Sequence, residues 1–199
     1  VPGEHLLPKL LSVFRQRYPH VQVRASISDS GSVLSQIEHG QVHFGLVGGK
    51  TDAPHLEFEP FAVDEMRLVV PAAHPWGRRR QVSLAELGQQ PLILRETGSG
   101  SRWCLEQALA RHGKSPADLR IALELGSNEA IKEAVLQGLG AAILSTHAVE
   151  DEERSGQLHL LAIAQMPLRR EMFIVRDRRR ALPIPAQLFL DCVRSKSPA

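Results

Sequence analysis

Residues 97–102 read Thr-Gly-Ser-Gly-Ser-Arg, and the helical pattern of Leu105, Ala108 and Leu109 begins directly after them. Small residues let a backbone approach a ligand closely. The free N–H groups and dipole at a helix start favour an anion. The hydroxyls of Thr97, Ser99 and Ser101, with the N–H groups of Gly100 and Arg102, are the donors such a ligand needs, and Gly98 keeps the run small. The Arg102 guanidinium suits a carboxylate, sulfate or phosphate, or equally an acidic neighbour. Capping alone also selects hydroxyl residues at a helix start, so each such run by itself reads first as a cap.

The pattern recurs. Asp29, Ser30, Gly31 and Ser32 follow one apolar alternation, and Ser127, Asn128 and Glu129 follow another. Gly48-Gly49 and Thr146-His147 end two further apolar runs. Open α/β sheets bind ligands beyond the carboxyl ends of their strands, where loops of this kind lead into helices. Several chemistries are excluded. Ser99 has Thr97 rather than glycine two places before it, so this is no nucleophile elbow, and no Gly-Lys-Ser/Thr makes a phosphate-binding P-loop. The nine histidines show no i, i+4 pair with a partnering acid, so no metal is indicated, and no cofactor is expected. Cys104 reads as a buried small hydrophobe, and the arginine runs 78–80 and 176–180 as solvated turns or subunit contacts.

The elements that must position these loops come in two copies. Leu7, Leu10, Leu11 and Phe14 make one helical face; Val21, Val23, Ala25 and Ile27 alternate as a strand; Val33, Leu34 and Ile37 make a second helix that ends at Gly40. Moving along by 98 residues, without a gap, gives Leu105, Ala108 and Leu109, then Leu119, Ile121, Leu123 and Leu125, then Ile131 and Val135, then Gly138. Helices joining successive strands predict parallel pairing. Between the copies, 66–72 reads as a strand, Ser83 opens a short capped helix, and 91–96 is a buried strand; after them come a strand over 170–177 and a terminal helix over 184–195. That tail has no counterpart in the second copy and is expected back on the first. The predicted lobes are 1–68 with 175–199, and 72–170, joined by two crossover strands. The 199 residues, 43% hydrophobic and 23% charged with a net charge of +2, carry no broad nucleic-acid footprint. No signal-peptide pattern and no membrane-length apolar run stands in them, so a soluble cytoplasmic protein is expected.

The runs GEHLLPKLLSVFRQRYPHVQV, GQVHFGLVGG, LVVPAAHPW, LRETGSGSR and GSNEAIKEAVLQGLGAAIL, in this order, resemble the effector-binding domain of LysR-type transcriptional regulators. The ETGSGSR stretch is most similar to the Calvin-cycle and sulfur-assimilation branch. The resemblance covers essentially the whole chain. It implies an α/β fold of two periplasmic-binding-protein-like, Rossmann-like lobes with a cleft between them. It also implies a small anionic or phosphorylated effector in that cleft, and a homodimer that becomes a tetramer in the full-length protein. The loops it assigns to the effector are Thr97 to Arg102, Asp29 to Ser32, Ser127 to Glu129, and the strand ends at Gly48 and Thr146. In the expected dimer, 6–18 and 21–27 of one subunit face 101–112 and 119–125 of the other. The family's winged helix-turn-helix and linker helix are not in this sequence, so DNA contact is expected only through that absent domain. The family's first lobe also opens with a strand ahead of Gly3, which bears on first-lobe contacts such as Gly3 and His5. Peroxide-sensing relatives carry a loop cysteine where this sequence has Gly100. The function expected is ligand sensing without catalysis and without membrane association; the alternative is a transporter's solute-binding protein, which shares the two-lobe design.

Overall fold

The structure is a computed structural model and describes residues 2–195. Val1 and residues 196–199, the outermost positions of the expected first lobe, lie outside the described residues. A π-helical turn at Pro2–Leu6 leads into α1 (Leu7–Arg17), followed by α2 (Ser30–Glu38), β1 (Gly45–Val47) and the long β2 (Leu56–Pro71). Next come β3 (Gln81–Val82), α3 (Leu84–Gln89), β4 (Leu92–Arg95), α4 (Gly100–Ala110), β5 (Ile121–Leu125) and α5 (Asn128–Leu136). The chain closes with β6 (Ala141–Ser145), α6 (Glu150–Arg154), β7 (Leu158–Ile163), β8 (Leu168–Asp177) and α7 (Ile184–Arg194). Two compact units result: Val1–Val63 with Glu171–Ala199, and Asp64–Arg170. Both β2 and β8 run from one unit into the other.

In the first unit β1 pairs antiparallel with β8, Gly45 opposite Val175 and Val47 opposite Phe173. Phe14 of α1 is fully buried against α7, its ring centroid 5.1 Å from that of Phe189. Phe61, Met172, Ile174, Leu190 and Val193 complete that cluster, so the terminal helix packs with the first copy of the repeat. Gly40 follows α2 at φ +70, and Gly138 follows α5 at φ +74, the left-handed conformation in which glycine ends a helix at least cost. Gly40 also lies against Arg180, whose Nη2 donates to the Glu38 carbonyl at 3.2 Å.

The second unit is built on β4, which lies between β5 and β6 and is parallel to both. Successive side chains of a strand point to opposite faces. Leu92 and Leu94 therefore join Leu105, Ala108 and Leu109 of α4, while Ile93 joins Ile131 and Val135 of α5. β3 is also parallel to β7, whereas β2 is antiparallel to both β6 and β7. α3 carries a capping box, with Ser83 and Glu86 satisfying each other's backbone N–H groups.

The expected strand over 21–27 is corrected. This segment forms no strand, with Val23 46% and Ile27 60% exposed. Its repeat partner β5 is a strand because β4 hydrogen-bonds to it. Alternation alone supplies no ladder of hydrogen bonds, and among the described residues no strand pairs with 21–27. β5 reaches the core only through Leu125; its other four residues are exposed, as befits an edge strand.

Candidate functional site

The turn between β4 and α4 holds the hydroxyl run. Gly98 adopts φ +95, which a side chain would strain, and so turns the chain from the strand into the helix. Ser99 is the N-cap, with φ −72 and ψ 140; its Oγ accepts from the Arg102 N–H at 3.1 Å. Ser99, Gly100 and Ser101 are buried, whereas Thr97 and Gly98 are exposed. Helix geometry leaves the N–H groups of Gly100 and Ser101 without intrahelical acceptors. The Arg102 N–H, expected as a ligand donor, is used by the cap. The Arg102 side chain turns to its own acids, with Nε 2.7 Å from Glu106 and Nη1 3.4 Å from both Glu124 and the Arg95 carbonyl. Of the two roles open to Arg102, the structure shows the acidic pairing.

The other second-unit loops are organised in the same way. Ser127 caps α5, its Oγ accepting from Ala130 N–H at 3.0 Å. Asn128 is buried, and its Oδ1 accepts from Arg95 Nη1 at 2.9 Å; Arg95 also grips Glu96 through two 2.7 Å bonds. Arg95 thus ties the loop before α4 to the start of α5. Glu129 bonds Lys132, which also reaches Glu152 on α6. Thr146 opens a single 3-10 turn capped by the preceding Ser145.

In the first unit, Asp29 caps α2 by accepting from Ser32 N–H at 3.0 Å, and the Ser32 hydroxyl donates to its other oxygen. Partial burial pushes the Asp29 carboxyl up, but the hydrogen bonds from Ser32 and from the backbone outweigh it, leaving the carboxyl below its ordinary value. The Gly48 N–H donates to Ser30 Oγ at 3.3 Å, so the end of β1 is fastened to the start of α2. Gly3 lies beside Ile27, and His5 is 3.9 Å from Glu4.

The sequence reading missed a buried ion pair. Asp64 on β2 is 0% exposed, and Arg170 on β8 is buried with it. Arg170 Nε and Nη2 stand 2.8 and 2.7 Å from Asp64 Oδ2, Arg170 Nη1 donates to Ser101 Oγ at 3.1 Å, and Ser145 Oγ donates to Asp64 Oδ1 at 2.6 Å. The sequence gives no signal that singles them out, because both strands carry other charged residues as well. Cys104 is buried close by, and burial pushes its thiol up. Among the described residues no group of three His, Cys, Asp or Glu side chains is arranged to hold a metal, and no helix is long and apolar enough to cross a membrane. A pocket of about 360 Å³, lined by Leu84, Leu109, Leu119 and Lys114 among others, sits at the far end of α4 and shares no residue with these loops.

The family model described as the LysR substrate binding domain matches residues 1–198. A phosphonates import ATP-binding protein, PhnC, from Anaeromyxobacter dehalogenans is 34% identical over 197 residues, covering 99% of this chain and 39% of that protein. A probable RuBisCO transcriptional regulator from Cyanophora paradoxa is 32% identical over 192 residues, covering 94% of this chain and 59% of the relative. The chain thus spans between about two fifths and three fifths of these relatives. The regulatory domain of CcmR from Synechocystis, solved in complex with 2-PG, superposes with a TM-score of 0.88 at 27% identity, covering 98% of this chain and 92% of that one.

Proposed function

This chain belongs to the LysR substrate-binding domain family, and from that premise we propose that it senses a small anionic or phosphorylated metabolite at the start of α4, on behalf of a full-length transcriptional regulator. The observation that carries this reading is the turn itself. An exposed hydroxyl, Thr97, adjoins a glycine-bearing helix start whose Ser99 and Ser101 are buried. The chain is also similar over nearly its whole length to a regulatory domain in complex with 2-PG. In this reading Thr97, Ser99 and Ser101 donate to the anion together with the Gly100 N–H. Ser127, Asn128 and Thr146 shape the neighbouring loops. Hydrogen bonds to a charged ligand contribute roughly 1.5–3 kcal/mol each, so three or four give micromolar binding after ordering costs. The domain acts by binding rather than by catalysis, in the cytoplasm, with DNA contacted by another part of the regulator. A transporter's solute-binding role shares the lobes but not this family.

The same reading includes a two-fold dimer. Trp103 of α4, 42% exposed, and Ile121 and Leu123 of β5 offer apolar surface in the second unit; Val23 and Ile27 offer it in the first. One copy's α1 and segment 21–27 lie against the other's α4 and β5. Light scattering at high micromolar concentration that finds only monomers counts against this arrangement. For the ligand, titration calorimetry with 2-PG, inorganic phosphate and sulfate is the direct test. Binding by one of them is expected; no heat and no thermal stabilisation up to millimolar concentration refutes the reading.

A further inference from the structure

The cation expected to serve the turn, Arg102, is already engaged by Glu106, Glu124 and a carbonyl. A different arginine touches the first turn of α4. We infer that Arg170 is the positioning residue of this site: its guanidinium fixes the Ser101 hydroxyl as a proton donor, selecting a ligand group that only accepts. The inference rests on the proposed anion site and adds to it a residue that determines specificity.

The argument is one of hydrogen-bond bookkeeping. A guanidinium donates and never accepts. The 3.1 Å contact from Arg170 Nη1 therefore occupies an acceptor position on Ser101 Oγ, and the hydroxyl proton must point to some other acceptor. Ser99 is in the same condition, because its Oγ accepts from the Arg102 N–H. Two buried hydroxyls two residues apart, one on the N-cap and one in the first turn of α4, thus both present protons. Ser145, the third buried hydroxyl, differs: it accepts from the His147 N–H and spends its own proton on Asp64. Asp64 completes the device. Its Oδ2 holds two corners of the guanidinium and its Oδ1 takes Ser145, so Arg170 cannot swing away without leaving a buried carboxylate unpaired. Arg170 itself needs no contact with the ligand. A fully ionised oxyanion, rich in acceptors and without donors, fits protons presented in this way. A neutral polyol brings hydroxyl protons that compete with them.

The test is a double-mutant cycle on affinity for 2-PG and for sulfate, which carries no donor at neutral pH, using Ser101→Ala, Arg170→Lys and both together. Lysine keeps the charge beside Asp64 but lacks the fork that reaches Ser101. Arg170→Lys is expected to weaken binding about tenfold with Ser101 present and less than twofold with Ser101→Ala, a coupling that a purely structural role does not produce. If Arg170→Lys does not fold, Asp64→Glu with Arg170→Lys restores the ion pair through a longer acid, and the same coupling to Ser101 is expected. Additive losses, or full affinity in either Arg170→Lys variant, overturn the inference while leaving the anion site standing. If the unmodified chain binds neither probe, the anion site itself falls, and this inference with it.

Discussion

Thr97→Val and Ser99→Ala separate a ligand site from a mere helix cap, because the structure gives the two hydroxyls different work. Ser99 is buried and caps α4 through its 3.1 Å bond to the Arg102 N–H. Removing a serine cap costs about 1 kcal/mol, within a range of about 0.5–2. Ser99→Ala should therefore lower the ligand-free stability by that amount and weaken binding as well. Thr97 is exposed, and its hydroxyl has no hydrogen bond to another described residue. Valine preserves its shape, so the ligand-free stability should change by less than about 0.5 kcal/mol. If the Thr97 hydroxyl donates to an anion, its loss costs about 1.5–3 kcal/mol of binding, roughly tenfold to a hundredfold in affinity. Urea denaturation without ligand gives the first quantity, and calorimetric titration with 2-PG and with phosphate gives the second. The reasoning is refuted if Thr97→Val binds as tightly as the unmodified chain while Ser99→Ala loses stability alone. The hydroxyl run would then be a cap and nothing more.

Three further outcomes follow from the geometry. The Arg79 guanidinium, with the Ser83 N–H and hydroxyl, holds the Glu86 carboxyl at about 2 against an ordinary 4.5. Its contribution to stability is complete above about pH 4.5 and is lost as pH falls toward 2, so Glu86→Gln should flatten the stability profile measured across that window; an unchanged slope would remove Glu86 from the account. Leu109 is fully buried between α4 and the sheet, so Leu109→Ala should cost about 2–5 kcal/mol in chemical denaturation, and a loss below 1 would mean that the site collapses freely. Cys104 and Cys192 are both buried and the Cys104 thiol is raised, so a thiol reagent at pH 8 should label the chain only on unfolding; fast native labelling of Cys104 would contradict its burial.

What the sequence made legible is what local chemistry decides. The helices α1, α2, α4 and α5 follow from apolar spacing, and Gly40 and Gly138 both take the positive φ that ends a helix. Asp29, Ser99 and Ser127 could be placed at helix starts because a cap bonds within three residues of itself. Segment 21–27 misled because alternation describes which side chains could be buried, not whether a neighbouring strand is there to bond. The β5 sequence alternates equally well, yet Ile121 and Leu123 remain exposed at a sheet edge. Arg102 was visible, but its pairing with Glu106 depends on rotamers that spacing does not encode. The Asp64–Arg170 pair was out of reach for another reason: its partners are 106 residues apart, and neither has a local pattern that names the other.

That separation has a consequence of its own. Asp64 is the first residue of the second unit and Arg170 the last, so the ion pair behaves as a clasp on a closed ring of chain. A non-covalent clasp restricts the two ends only in the folded state, so the entropy of bringing them together is borne by folding rather than removed beforehand, as a covalent link would remove it. Chains whose ends already meet tolerate being cut and rejoined elsewhere. The stretch from Asp64 to Arg170 can therefore be expressed as a separate piece, or given new ends in the exposed turn after α4 at Gly113, provided that the clasp residues are kept.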